Sequence, residues 1–262
     1  MTTAPVLETR DLTIRFGGHV AVNAVSCAFE AGTLTAIVGP NGAGKTTYFN
    51  LVSGQLPASA GSVWLNGRDL SGMAPSERTA AGLGRAFQLT NLFPNLSVAE
   101  NVRLAIQARA GVGLDLWNVW SARADLLEKT DAVLAQVALL PKRDALAVSL
   151  SHGDQRKLEV GMLIALEPLV FMFDEPTAGM SVDEVPVILD LIRALKRDRS
   201  KTILLVEHKM DVVRELADRI IVLHNGTLMA DGDPGTVIAS PVVQEAYLGM
   251  APVAGAGAES EP

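Results

Sequence analysis

The sequence predicts an α/β fold with a mainly parallel sheet, an antiparallel β subdomain and a helical subdomain, and three observations carry that expectation. First, residues 34–38, 169–173 and 202–206 are short continuous apolar runs, the pattern of strands buried on both faces. Second, helical stretches separate these runs, as parallel βαβ units require. Third, residues 6–30 and 61–68 read as strands around Gly-Gly and Asn-Gly turns, whereas residues 95–166 turn helical in period.

A 262-residue chain with 48% hydrophobic and 19% charged residues belongs among packed globular proteins and is long enough for one large domain or two small lobes. Its net charge of −7 argues against attraction to a nucleic-acid backbone. The single cysteine, Cys27, excludes an internal disulfide and, in apolar surroundings, reads as core rather than reactive. No apolar run approaches the ~20 residues of a membrane-spanning helix, and the first residues lack a basic segment followed by an apolar one. The expected location is therefore the cytoplasm.

Taken in order, residues 6–16 form a first strand, Gly17-Gly18 a turn and residues 20–30 a second strand. Phe16, at the end of the first, either fills a core or stacks its ring on a purine. The run at 34–38 leads into Gly39, Pro40, Asn41, Gly42, Ala43, Gly44, Lys45, Thr46 and Thr47, which fits the phosphate-loop pattern G-x-x-x-x-G-K-[ST]. Its glycines let successive N–H groups converge on a phosphate, and the helix that comes next, Lys45–Ser53 with Gly54 as stop, adds partial positive charge. Lys45 supplies a full charge to the β- and γ-phosphate oxygens, and the Thr46 hydroxyl can ligate Mg²⁺. Residues 61–68 return to the antiparallel region.

In the helical stretch Leu127, Val133, Leu134 and Val137 fall near a 3.6-residue period, with Pro141 as the stop. Gly111 and Gly113 mark a break, after which Trp117 and Trp120 share a helical face that either docks a partner or packs inward. Residues 169–173 end in Asp174 and Glu175. Acids at the C-terminal edge of a central strand suit Asp174 to hold Mg²⁺ and Glu175 to polarise an attacking water. Val185, Ile188, Leu189, Ile192 and Leu195 make an amphipathic helix, and the strand at 202–206 ends in Glu207-His208, putting His208 at the γ-phosphate edge. Residues 219–223 and 227–230 flank Asn225-Gly226 as a hairpin; His224 and His19 read as ordinary turn residues, and residues 251–262 as a mobile tail.

From Val6 to Gly249 the chain resembles the nucleotide-binding subunits of ABC transporters. The resemblance implies a P-loop NTPase, RecA-like core with its antiparallel β subdomain from residues 1–94 and 167–250, and a helical subdomain from residues 95–166. It implies ATP and Mg²⁺. Phe16 becomes the adenine-stacking ring, residues 39–47 the Walker A loop, and Gln88 the residue that senses Mg²⁺ and the attacking water. Asp174 becomes the Walker B acid, Glu175 the catalytic base and His208 the switch histidine. Leu150-Ser151-His152-Gly153-Asp154 resembles the Leu-Ser-Gly-Gly-Gln signature, in which Ser151 and Gly153 would touch the γ-phosphate of an ATP held by the opposite subunit. His152 and Asp154 depart from that signature, and Ala178-Gly179-Met180-Ser181 lacks the aspartate common after Walker B. Ser151-x-x-Asp154 has capping-box spacing, which predicts that the Asp154 carboxylate turns back to the Ser151 N–H and away from the phosphate.

The resemblance also implies that one chain is half of a head-to-tail, ATP-closed pair, homo- or heterodimeric, peripheral at the cytoplasmic face of the membrane. Two membrane permease subunits would dock near Gln88 and Asn101, where Leu89, Leu92, Phe93, Pro94 and Leu96 form an apolar cluster, and an extracytoplasmic solute-binding protein would act indirectly. The Ala-Gly-Met element, the histidine in the signature and the ending Glu245-Ala246-Tyr247-Leu248-Gly249 look most like importers of branched-chain or other hydrophobic amino acids. Urea and short-amide importers share several of these features. A soluble P-loop phosphotransferase would not need residues 150–154. A non-transport ABC ATPase acting on DNA or ribosomes usually brings coiled-coil insertions, or two such domains in one chain with a basic surface, and neither is seen here.

Overall fold

A computed structural model describes residues 4–86, 92–111, 124–181 and 183–248. Gln88, Leu89, Gly113, Trp117, Trp120, Gly249 and the tail at 251–262 lie outside the described residues.

Two sheets build the molecule. Strands β1 (Leu7–Phe16), β2 (His19–Phe29), β4 (Ala60–Leu65) and β5 (Arg68–Asp69) pair antiparallel in the order β2-β1-β4-β5. Strands β3 (Leu34–Val38), β6 (Leu83–Ala86), β7 (Val170–Asp174), β8 (Thr202–Val206), β9 (Arg219–His224) and β10 (Thr227–Gly232) form the second sheet in the order β10-β9-β3-β8-β7-β6. It is parallel except for the β9–β10 hairpin. That hairpin turns at Asn225 and Gly226, and the β4–β5 hairpin at Asn66 and Gly67; all four have positive φ, as a tight primed turn needs.

The continuous apolar runs are explained by what lies on each side of the parallel sheet. Phe171, Phe173, Ile203 and Leu205 face helices α3 (Val98–Ala110), α4 (Ala124–Gln136), α5 (His152–Ala165) and α6 (Val185–Arg197). Their neighbours Val170, Met172, Leu204 and Val206 face α1 (Lys45–Ser53) and the antiparallel sheet, where Tyr48 and Phe49 are fully buried. A third cluster packs Val38, Ile220 and Val222 against α7 (Met210–Leu216), α8 (Pro234–Ala239) and α9 (Pro241–Leu248). Helix α2 (Pro75–Ala81) leads into β6, and its buried Arg78 donates to the carbonyls of Leu51 and Val52, capping the end of α1.

Two local expectations change. Helix α4 presents Leu126, Thr130, Val133 and Leu134 to the core, with Val137 buried just past its end, leaving Leu127 only half-buried. Nor does Pro141 stop it. The chain leaves the helix at Ala138, in the left-handed region at φ 55°, where the Leu139 N–H closes on the Leu134 carbonyl at 2.8 Å; Pro141 sits in the short 3₁₀ turn beyond, Leu140–Lys142. Cys27 is core, and burial pushes its thiol up to about 11.

Candidate active site

Strand register assembles the site. Ile37 on β3, Val206 on β8 and Asp174 on β7 lie in one row across the sheet. The segments leaving these strands therefore emerge along one edge: the loop from Gly39, then Glu207 and His208, then Glu175. This is where an open parallel sheet places its ligand.

The loop can take only glycine at two places. A Cβ on Gly39, at φ 152°, would lie 2.1 Å from the Leu223 carbonyl oxygen, and one on Gly44, at φ 96°, would lie 2.6 Å from that of Ala21. Neighbouring strands thus pack directly on the loop and turn its backbone toward the start of α1. Lys45, nearly buried, folds back so that its Nζ donates to the carbonyls of Gly39 at 2.7 Å and Pro40 at 3.0 Å. Burial lowers its pKa, and the charges of Glu175 and Asp174 partly offset that, so the lysine and both acids share one electrostatic neighbourhood. Thr46 is exposed on the first turn of the helix.

Asp174 is 3% exposed. Its Oδ2 accepts from Arg85 Nη2 at 2.8 Å, whereas its buried Oδ1 has no hydrogen-bond partner among the described residues. Burial raises its pKa, with Arg85 opposing. An orphaned buried carboxylate oxygen beside the loop is the donor set a hard cation asks for. Arg85 also donates to Asn50 Oδ1 at 2.7 Å and Ser53 Oγ at 2.9 Å, tying the acid to α1.

Glu175 is half-buried, with φ 48°, a backbone region costly for a side chain of this kind and held here by its N–H on the Val206 carbonyl at 2.9 Å. His208 has a half-exposed side chain whose Nδ1 lies 3.4 Å from Glu207 Oε1. Phe16 is 49% exposed at the tip of the β1–β2 hairpin, so it does not fill a core. Ala21, a short way along the same hairpin, backs Gly44, placing the tip near the rim of the loop.

The signature residues start α5. Ser151 Oγ caps it by accepting from the Asp154 N–H at 3.2 Å, and Gly153 is covered by the Glu184 side chain. Only half of the expected capping box forms. The Asp154 carboxylate goes to Lys142 at 2.5 Å and Lys157 at 2.7 Å, because ammonium groups offer charge-assisted bonds stronger than a neutral N–H. Burial pushes that carboxyl up, but the bonds from the two lysines outweigh it and leave the pKa lowered.

The cluster around residues 92–96 divides. Leu92 packs on the core, whereas Phe93 is 50% exposed. Asn101, fully buried, clamps the Phe93 backbone from both sides, accepting from its N–H at 2.8 Å and donating to its carbonyl at 3.1 Å. Residues 94–96 hydrogen-bond to 147–148, a segment in which Leu146 and Val148 are also exposed.

Arg85, Glu207 and the lysines on Asp154 are site residues that the sequence alone did not single out. Glu207 did carry a signal, an acid directly after an all-apolar strand, the one used for Asp174. Arg85 and Lys142 carried none, since their partners lie 89 and 12 residues away.

A glycine-cradled lysine at a helix start, with a buried acid two strands away along the same sheet edge, defines a phosphate-loop nucleotide-binding protein. Residues 22–178 match the ABC transporter family. The high-affinity branched-chain amino acid transport ATP-binding protein LivG of Escherichia coli (strain K12) is 35% identical over 252 residues, 94% of this chain and 99% of the relative. BraF of Pseudomonas aeruginosa, with the same description, is 34% identical over 253 residues, again 94% and 99% of the two chains. A solved ATP-binding cassette of an ABC transporter in its ADP conformation superposes with a TM-score of 0.80 at 28% identity, covering 95% of this chain and 100% of that one. The chain belongs to the ABC transporter family, as an ATP-binding subunit that hydrolyses ATP to power transport. No helix among the described residues is long and apolar enough to cross a membrane.

Proposed function

We propose that this chain drives an importer of branched-chain or other hydrophobic amino acids from the cytoplasmic face of the membrane. The observation that carries the solute class is end-to-end similarity to LivG and BraF, covering 94% of this chain and 99% of each relative.

In the proposed mechanism the Phe16 ring stacks on adenine, and the N–H groups of residues 39–47 with Lys45 bind the phosphates, Lys45 exchanging its loop carbonyls for phosphate oxygens. Thr46 and Asp174 would hold Mg²⁺, with Gln88 as a further ligand; when bound, the ion neutralises charge on the β- and γ-phosphate oxygens. Glu175 accepts a hydrogen bond from the attacking water and draws off its proton as the water oxygen bonds to the γ-phosphorus. The bond to the bridging oxygen breaks, and ADP takes up the charge of that oxygen. His208 holds the γ-phosphate, and Ser151 and Gly153 complete the site of a second, facing ATP-binding subunit. The exposed Phe93 marks the face that receives the coupling helix of a membrane permease subunit, two such subunits serving the pair of ATP-binding chains. A solute-binding protein outside the membrane delivers the cargo.

Reconstitution in vesicles with two permease subunits and a solute-binding protein of the same transporter tests the reading. ATP-dependent uptake of leucine with no uptake of urea is expected; uptake of urea but not leucine would transfer the chain to the urea and short-amide importers.

A further inference from the structure

One buried acid has no part in that mechanism. Glu207 is 0% exposed, and among the described residues its side-chain partners belong to the turn at His208 and the loop after Glu175. Oε1 accepts from the backbone N–H groups of His208 at 2.9 Å and Lys209 at 3.1 Å and faces His208 Nδ1 at 3.4 Å. Oε2 accepts from the Thr177 hydroxyl at 3.1 Å, two residues beyond Glu175, and Lys209 Nζ reaches that same hydroxyl at 3.4 Å. An acceptor facing Nδ1 favours the ring form that carries hydrogen there, and so fixes which edge of the imidazole points outward.

We propose that Glu207 is a positioning residue for ATP hydrolysis: it orients the His208 ring and ties the His208 turn to the loop after Glu175, so that the two groups approach the γ-phosphate in a fixed relation. The inference rests on His208 being the γ-phosphate residue. Buried acceptors of this kind are costly to lose, because each donor they satisfy is then stranded.

The ring can be read directly. In the full-length wild-type chain with ¹⁵N-labelled histidine, the His208 signal, identified by its loss in His208→Gln, should show Nδ1 carrying hydrogen in the neutral ring. A bare Nδ1 overturns the proposal, whether or not any variant folds. Glu207→Ala should then lose the Nδ1–H signature and at least about tenfold in kcat per ATP-binding site, the sites being counted by titration so that unfolded chain, which would lower the apparent kcat at unchanged KM, is left out. Glu207→Gln keeps an oxygen for the same N–H groups and an amide for Thr177, so it should retain kcat within about threefold. Wild-type kcat in folded Glu207→Ala, or a glutamine variant as impaired as the alanine one, overturns the proposal. Near wild-type turnover by His208→Ala would instead remove the assignment of His208 on which it rests.

Discussion

At the scale of single residues, the proposed function makes the site a set of charges whose partners change when nucleotide arrives. Lys45 rests on its own loop carbonyls at 2.7 and 3.0 Å, contacts that phosphate oxygens can replace with charge-assisted ones. Lys45→Ala should therefore lose about 10- to 100-fold in affinity for ATP and almost nothing for adenosine, whereas Phe16→Ala weakens both. Calorimetry separates the two, and equal losses of ATP and adenosine on removing Lys45 would contradict its role. Asp154 makes a prediction in pH. Its pKa is lowered in the folded chain, so its contribution to stability is present above the unfolded carboxylate range near pH ~4 and is lost as pH falls through the depressed value. Urea denaturation should find Asp154→Asn about 1 kcal/mol less stable than wild type at pH 7, modest because Lys142 is half exposed, and the gap should close on acidification. A gap that widens in acid would show that the lysines do not hold the carboxylate. The phosphate loop was legible in the sequence because its spacing is local. The fate of Asp154 was not, because capping-box spacing says nothing of a lysine brought in by a separate turn.

At the scale of elements, strands were easier to read than helix ends. A strand buried on both faces must be apolar throughout, and β3 and β8 fall where the apolar runs put them. The end of α4 depends instead on a left-handed alanine, for which no residue-type rule gives warning, and Pro141 drew attention to the wrong place. Whether Phe93 was core or surface could not be settled from an apolar cluster alone. The deciding contact is Asn101, which holds the backbone of Phe93 so firmly that the ring needs no burial to stay in place. Phe93→Asp should accordingly leave folding and ATP affinity of the isolated chain within about twofold while uncoupling hydrolysis from uptake in vesicles. Asn101→Ala should cost about 1–3 kcal/mol in urea denaturation, since it strands the Phe93 N–H, whereas the Phe93 carbonyl keeps the Leu96 N–H at 3.1 Å. If Phe93→Asp unfolds the chain and Asn101→Ala does not, the exposed face is misassigned.

At the scale of the whole molecule, one chain carries a phosphate loop on one sheet edge and a signature helix in a separate helical layer, so on the proposed function each ATP is enclosed by two chains. Strands β3, β8 and β7 deliver the loop, His208 and Glu175 to that edge, and on the proposed function the chemistry there rests on Glu175. Steady-state turnover of Glu175→Gln, with ATP binding followed in parallel, tests this most directly. Glutamine keeps a hydrogen bond to water but cannot take its proton, so turnover should fall by about 10² or more while ATP affinity stays near wild type. Turnover close to wild type in a variant that still binds ATP would mean that Glu175 is not the base.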